Sequence, residues 1–333
     1  MTGRVLVRLL LLVVGLSVVA YLVHQIGPGV VWSALQSLSW RLLVVFLFPI
    51  SIVVVVDTLA WRFTFLRPPR ALTHLLGVRL AGEAVNLGTP TASVGGEPVK
   101  AYLLRPGVPL REGLASVIVD KTTTVTALIL FLGLGLLVGA GLLPVSSPLM
   151  ITMIVLLGLE IVCVAGFVIV QLAGVLGRGG RLLARFRFAP ARGQAMLEGM
   201  DQTVRALYLG HQGRLLVSVL GHLLGFALGT LEIYLIVRFL DVPISLPTAL
   251  AIGAFGSAVK FFSFMIPASL GALEGGNMAI FAAFGLGGAV GLTYTLVRRL
   301  REIVWITLGF TLLSMLSARP ASLVEPQLED GQS

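Results

Sequence analysis

Apolar runs of membrane length alternate along the chain with short polar interruptions. A helix needs about 20 apolar residues to cross a hydrocarbon core about 30 Å thick. Runs of that kind fill Arg4 to Val23, Arg41 to Trp61, Gly113 to Leu143, Leu149 to Leu176, Arg214 to Phe239 and Gly291 to Leu316, and each predicts a spanning helix. The first run is longer than a signal-peptide apolar region and lacks a small-x-small site before Gln25, so it reads as a retained anchor. Two further segments, Leu75 to Leu104 and Pro247 to Leu286, are apolar but broken. The first carries Arg79, Glu83, Asn86, Pro90, Glu97, Pro98 and Lys100, and the second carries Lys260, Pro267 and Glu274. Proline and charge at membrane depth are tolerated where they are packed in protein or line a watery cavity. The arm Leu75 to Leu87 holds 13 residues. At the helical rise it reaches about 20 Å, past mid-membrane, before turning back. Both broken segments therefore predict re-entrant helical hairpins.

The two breaks match. Thr89-Pro-Thr-Ala-Ser-Val-Gly-Gly-Glu97 and Ile266-Pro-Ala-Ser-Leu-Gly-Ala-Leu-Glu274 each place a glutamate seven positions after a proline. The match extends outward: Asp57 lies 33 residues before Pro90 and Glu232 lies 35 before Pro267, while Asp120 is 30 after Pro90 and Arg298 is 31 after Pro267. Arg41 to Leu143 and Arg214 to Leu316 thus each read as helix, hairpin, helix. Broken segments at corresponding places in two halves point to a transporter-like binding site between repeats.

Charge sets the orientation. Arg62, Arg67 and Arg70 follow the second run, and six arginines (178, 181, 185, 187, 192, 205) face only Glu198 and Asp201 in the linker 177–213. Basic loops stay cytoplasmic, which puts both termini inside and makes the two hairpins enter from opposite faces. The expected fold is an all-α polytopic membrane protein with six spanning helices and two re-entrant hairpins in an inverted repeat. It forms one membrane domain, 1–317, followed by a polar, disordered tail, 318–333.

Composition agrees: mean hydropathy is +1.00, and charged residues make up 12%, against about 25% in soluble domains. The net charge of +9 reflects basic loops rather than nucleic-acid binding. Cys163 lies alone in an apolar run and reads as packing. Histidines 24, 74, 211 and 222 show no metal spacing, and no nucleotide-binding or hydrolase signature appears. No cofactor or metal is expected.

Glu97 and Glu274 are the leading candidates for substrate contact, because a charge at the bilayer centre costs about 2.5–3.5 kcal/mol and needs a partner or a use. Candidate partners are Lys100, Lys121, Arg298 and Arg301. The bland alternative is a structural salt bridge, or a carboxylate placed at the start of a half-helix. Pro90, Gly95, Gly96, Pro267 and Gly271 would shape the hairpin tips, whose exposed amides suit an anionic headgroup. Asp120-Lys121 suggests an ion pair at a helix entrance, or a proton or substrate contact. In the cluster Arg298, Arg299, Arg301 and Glu302, arginine can grip phosphate in bidentate fashion. Asp57, Glu160 and Glu232 are lone intramembrane acids with structural or coupling roles.

Gly82-Glu-Ala-Val-Asn86, Gly95-Gly-Glu-Pro-Val-Lys-Ala-Tyr-Leu-Leu104, Ala115-Ser-Val-Ile-Val-Asp-Lys121, Ile266 to Glu274 and Arg298-Arg-Leu-Arg-Glu302 resemble the flippase-like lysylphosphatidylglycerol synthase transmembrane family. The nearest branch is the membrane protein found with hopanoid-biosynthesis genes. The resemblance implies a bacterial inner-membrane protein that handles polar lipids, with lipid-biosynthesis enzymes as possible partners. The sequence stops at Ser333, so no aminoacyl-transferase domain, and no enzyme activity, is expected. Lys121, and Ala268-Ser269 where Gly-Gly pairs are more usual, depart from the family pattern. The expected function is translocation of a polar or anionic lipid headgroup through a groove between the repeats. The alternatives are an ion-coupled small-solute permease, a lipid-modifying enzyme, or a non-transporting partner in a hopanoid-type lipid pathway.

Overall fold

A computed structural model describes residues 41–48, 50–69, 71–89, 94–174, 191–263 and 271–317, together with His24, Gly29, Ile266 and Ser269. The expected first helix, both tip prolines (Pro90 and Pro267), the start of the basic linker and the tail 318–333 lie outside the described residues. Among those residues the regular elements are helices: α1 (Arg41–Leu47), α2 (Ile50–Arg62), α3 (Leu72–Gly88), α4 (Gly96–Leu104), α5 (Leu110–Ala140), α6 (Pro148–Leu172), α7 (Ala191–Gly210), α8 (Gln212–Phe239), α9 (Leu246–Phe262), α10 (Ala272–Ala283) and α11 (Gly288–Leu316).

Four stretches among the described residues are long and apolar enough to cross a membrane: Leu43–Arg62, α5, α6 and α8. Helix α11 is long enough at 29 residues, about 43 Å at the helical rise, but carries charge at its middle. Its Arg299, Arg301 and Glu302 are buried in protein, which is how a bilayer-length helix tolerates them. Helices α3, with 17 residues, and α9, also with 17, reach only about 25 Å. The partner arms α4, at nine residues, and α10, at 12, are shorter still. No arm of either pair spans the core alone.

Local chemistry sets the ends. Ser147 and Ser245 accept hydrogen bonds from Met150 N and Thr248 N, each followed by a proline in the first turn of α6 and α9. In the second break Gly271 takes φ 80° and Ser269 φ 52°, so the chain reverses through left-handed backbone before α10.

The two halves exchange the first arms of their broken segments, while the second arms, α4 and α10, pack on α5 and α11 of their own half. Helix α3 packs along α11, α9 packs along α5, and the leading helices α2 and α8 pack on each other. In lipid the apolar drive between helices is weak, so close approach and interhelical polar contacts hold the bundle. A Cβ on Gly309 would overlap Ala84 and the Leu80 carbonyl, and one on Gly135 would overlap Ala254; small residues thus mark both exchanged crossings. The core divides accordingly. Phe131, Ile236, Phe255 and Phe281 fill one side, and Trp61, Phe65, Leu75 and Phe310 the other.

The linker departs from expectation. Residues 191–210 form α7, whose Met200, Val204 and Leu207 are buried, with Val204 and Leu207 against Ala115 and Val119 of α5. Their i, i+4, i+7 spacing makes an apolar stripe on an otherwise polar helix, which the local charge concealed. Cys163 also departs: it is exposed on α6, because α6 touches the bundle along one narrow face and turns Leu159, Val162 and Ile169 outward.

Candidate functional site

The two halves enclose a cavity of about 620 Å³, within the roughly 300–1,000 Å³ of ordinary ligand sites. The first half lines it with Asp57, Arg79, Glu83, Lys100, Asp120 and Lys121, and the second with His222, Glu232, Lys260, Arg298, Arg301 and Glu302. Apolar side chains share the wall, among them Val53, Val54, Leu87, Phe226 and Phe261.

Four side chains from four helices close the first side. His222 of α8 directs Nδ1 to Asp57 Oδ1 and Nε2 to Asp120 Oδ1, both at 2.9 Å. Arg79 of α3 reaches the same two carboxylates, at 3.6 Å from Asp57 and 3.5 Å from Asp120, and donates to the Asp57 carbonyl at 3.1 Å. Glycine makes this possible: a Cβ on Gly225 would stand 2.7 Å from Asp57 Oδ1, and one on Gly221 would stand 2.9 Å from Ala60. The α2–α8 crossing is therefore close enough for the histidine to bridge.

Behind this group Glu97 acts as a node. It lies 3.2 Å from Lys100 Nζ and 2.9 Å from Lys121 Nζ, and accepts from Asn86 Nδ2 at 3.0 Å. Lys100 also meets Glu83 at 2.6 Å and lies 5.9 Å from the Trp61 ring centroid. Asn86 is fixed by the Gly96 amide at 2.8 Å. A Cβ on Gly96 would overlap the Gly82 carbonyl and Asn86, so glycine is required where α4 crosses α3. Glu97 does not line the cavity; it positions two lysines that do.

Glu274 differs. It accepts from its own helix start, the Gly271 amide, at 2.7 Å, and meets Arg299 Nε at 3.1 Å. Its expected partners Arg298 and Arg301 are engaged elsewhere: Arg298 donates to the Tyr294 hydroxyl at 3.3 Å and lies 3.6 Å from Glu302, while Arg301 pairs with Glu232. Arg299 also reaches Glu302 at 3.3 Å and the Ser269 carbonyl at 3.3 Å. The reason is helical geometry: residues 298, 301 and 302 share one face, and 299 is turned about 100° from 298. The same offset separates Asp120 from Lys121, which form no ion pair with each other; Asp120 turns to His222 and Arg79, Lys121 to Glu97.

Of the expected site residues, Glu83, Lys100, Asp120, Lys121, Arg298, Arg301 and Glu302 meet on one wall. Asn86, Gly95, Gly96 and Glu97 lie at the first hairpin crossing, and Gly271 and Glu274 at the start of α10. Glu160 stands apart from the cavity, fully buried, with neither carboxylate oxygen hydrogen-bonded. Arg79 and Lys260, noted in the broken segments but not named as site candidates, join the wall with His222 and Tyr294. The signal for His222 was a titratable ring in a spanning helix between Gly221 and Gly225; a search for metal spacing passes over it. Among the described residues no cluster suited to a metal ion occurs.

A family described as the lysylphosphatidylglycerol synthase TM region matches residues 5–309. The chain belongs to that family. It is also similar to a UPF0104 membrane protein of Methanothermobacter thermautotrophicus (strain Delta H), 24% identical over 311 residues, covering 87% of this chain and 90% of that protein. No solved structure matches the chain. Membership in the synthase TM region family and the apolar helices make this a multi-pass membrane protein.

Proposed function

We propose that this protein translocates an anionic lipid headgroup across the cytoplasmic membrane, through the cavity between two oppositely oriented helical units. The observation that carries the reading is the mixed wall of that cavity. Lys260, Arg298 and Arg301 face Glu232 and Glu302 in the second unit, leaving one net positive charge, while Val53, Val54, Leu87, Phe226 and Phe261 form an apolar strip beside them. A phosphate suits the cations, and an acyl chain suits the strip. A small polar solute has no use for the latter. The exchanged packing of α3 on α11 and α9 on α5, with basic loops at 62–70 and 178–192, supports hairpins that enter from opposite faces with both termini cytoplasmic. The lysylphosphatidylglycerol synthase TM region family supports a lipid-related role.

The test is transfer of fluorescently labelled phosphatidylglycerol between leaflets of proteoliposomes, read by dithionite quenching. Wild type is expected to accelerate transfer. The double variant Arg298→Gln and Lys260→Gln, both partly exposed, should fold and lose at least about tenfold in rate, since a hydrogen bond to a charged group contributes roughly 1.5–3 kcal/mol. No wild-type transfer of any labelled lipid, with uptake of a small solute instead, replaces this reading with a permease. Neither activity leaves the non-transporting partner.

A further inference from the structure

The first side of the cavity holds more hydrogen-bond geometry than its neutral chemistry can supply. An imidazole with one ring proton donates from one nitrogen and accepts at the other. Here both nitrogens of His222 lie 2.9 Å from carboxylate oxygens, one of Asp57 and one of Asp120, and an ionised carboxylate only accepts. Two ionised carboxylates and a neutral ring would set a lone pair against a lone pair at one contact. The arrangement therefore requires one further proton, on the ring or on a carboxyl group. With it, the two carboxylates balance the imidazolium and the Arg79 guanidinium, which reaches both acids.

We propose that Asp57, His222 and Asp120 form a proton-binding site that latches the two helical units together, so that uptake and release of one proton accompany each headgroup passage. This rests on the translocation reading above. Asp57 and Asp120 belong to α2 and α5 of the first unit and His222 to α8 of the second, so the bridge joins the units across the α2–α8 crossing. The ring is 1% exposed and Asp120 7%, whereas Asp57 is 25% exposed. Water in the cavity thus meets the site at Asp57: a proton enters there from one face, passes to the ring nitrogen, and leaves past Asp57 once the cavity has opened to the other face. No heavy-atom bond changes, and the proton comes from and returns to water. Release removes the donor from one His–carboxylate contact and leaves the four side chains with a net negative charge. One carboxylate then meets the lone pair of the unprotonated nitrogen and is repelled, and the α2–α8 crossing at Gly221 and Gly225 is free to separate.

Other charges bear on the ring. Arg79 and Glu83 come from α3, Lys121 lies one residue beyond Asp120 on α5, and Glu232 lies on α8 itself. Lys100 of α4, Lys260 of α9 and Arg298, Arg301 and Glu302 of α11 face the same cavity, and among the described residues none of α1 or α7 lines it. An anionic headgroup drawn to Lys260, Arg298 and Arg301 adds negative charge to this space and favours the protonated latch. Headgroup and proton would therefore bind together.

Two measurements test this. In lipid nanodiscs, ring-15N histidine spectra of wild type minus His222→Gln isolate the ring. It is expected to lose one proton as the pH is raised stepwise from acid to alkaline, histidine being the side chain that switches charge nearest neutrality; a ring unchanged throughout the titration overturns the proposal. In proteoliposomes containing pyranine, an imposed step of one pH unit, tenfold in proton activity, should change wild-type phosphatidylglycerol transfer by up to about tenfold and produce a matching proton flux. His222→Gln should remove the response to the gradient and the flux together. Wild-type transfer that ignores the gradient with silent pyranine overturns the latch and leaves the flippase reading standing. Absence of any lipid transfer overturns the flippase reading, and the ring titration still decides the proton site.

Discussion

The two units share a plan and divide the work. Counted from Pro90 and Pro267, Lys121 and Arg298 occupy the same position, 31 residues on, and both bring a cation to the wall. Seven residues before the prolines the sign reverses: Glu83 in the first unit, Lys260 in the second. The first unit balances three wall acids (Asp57, Glu83, Asp120) against three cations (Arg79, Lys100, Lys121), and its ion pairs close among themselves and on His222. The second sets two acids, Glu232 and Glu302, against Lys260, Arg298 and Arg301. The Nε atoms of Arg298 and Arg301 and the hydroxyl of Thr230 form no hydrogen bond within the protein. On the cavity wall, the charged groups of the first unit are satisfied and those of the second keep polar capacity in reserve; the first unit's unpartnered atoms, Trp61 Nε1 and Arg62 Nε, belong to residues that do not line the cavity. Under the proposed function, the balanced side would serve as the latch and the side with spare cationic capacity as the anion-binding surface.

The strongest way to break this comparison is to remove one arginine from each unit. Arg79→Gln leaves Asp57 and Asp120 facing each other with only His222 between them, and Asp120 is buried while Asp57 stands at the cavity edge. Removing one partner of a buried pair costs about 3–5 kcal/mol, so this variant is expected to lose most of its folded yield and to melt far below wild type in detergent. Arg298→Gln removes a side chain 23% exposed, whose pairing with Glu302 at 3.6 Å is long. The stability loss there should be under about 1 kcal/mol, with the defect appearing in lipid transfer. Equal melting losses for both would mean that the first unit is not the satisfied one.

The paired glutamates give a smaller contrast. Glu97→Gln leaves Lys121 without its carboxylate and Lys100 with Glu83 alone, disordering two cations on the wall. A charged hydrogen bond contributes roughly 1.5–3 kcal/mol, so transfer should fall by about tenfold or more. Glu274→Gln leaves Arg299 held by Glu302 and the Ser269 carbonyl. It loses mainly the helix-start interaction, about 0.3–1 kcal/mol, and transfer should change little. Matching losses in the two variants would restore the symmetric reading of the motif, with both glutamates at the site.

Helix order was legible in the sequence because lipid imposes it: backbone polar groups in a bilayer must be satisfied within helices. Among the described residues, runs of membrane length and their breaks consequently map onto α1 to α6 and α8 to α11 with ends shifted by a few residues. Pairing was less legible, because a sequence offset reports depth and not azimuth. Asp120 finds its partners 41 residues upstream and 102 downstream, and nothing local to Asp120-Lys121 says that the two side chains diverge. The facing of Arg298, Arg301 and Glu302 could have been read from their i, i+3, i+4 spacing. The partner of Arg299 could not, since it required knowing where α10 begins. Helix α7 escaped notice because three buried apolar residues were outnumbered by their charged neighbours.

The smallest contrast concerns the hairpin glycines, which are needed for different reasons. At Gly96 a methyl would overlap the Gly82 carbonyl and the Asn86 side chain, so Gly96→Ala must part α3 from α4. Overpacking of that kind costs about 1–3 kcal/mol, and it shifts Lys100, whose chain lies against Gly82. At Gly271 a Cβ meets nothing within 4 Å, but the backbone is at φ 80°, where an alanine costs about 1–3 kcal/mol in strain. The two substitutions should therefore lower the melting temperature by similar amounts. They should separate in transport: Gly96→Ala displaces a cavity lysine and slows transfer per folded protein, whereas Gly271→Ala strains a turn whose neighbours Glu274 and Arg299 are off the cavity wall. If Gly271→Ala proved the more damaging to transfer, the second hairpin tip would have to reach the headgroup itself, and the division of work between the units would reverse.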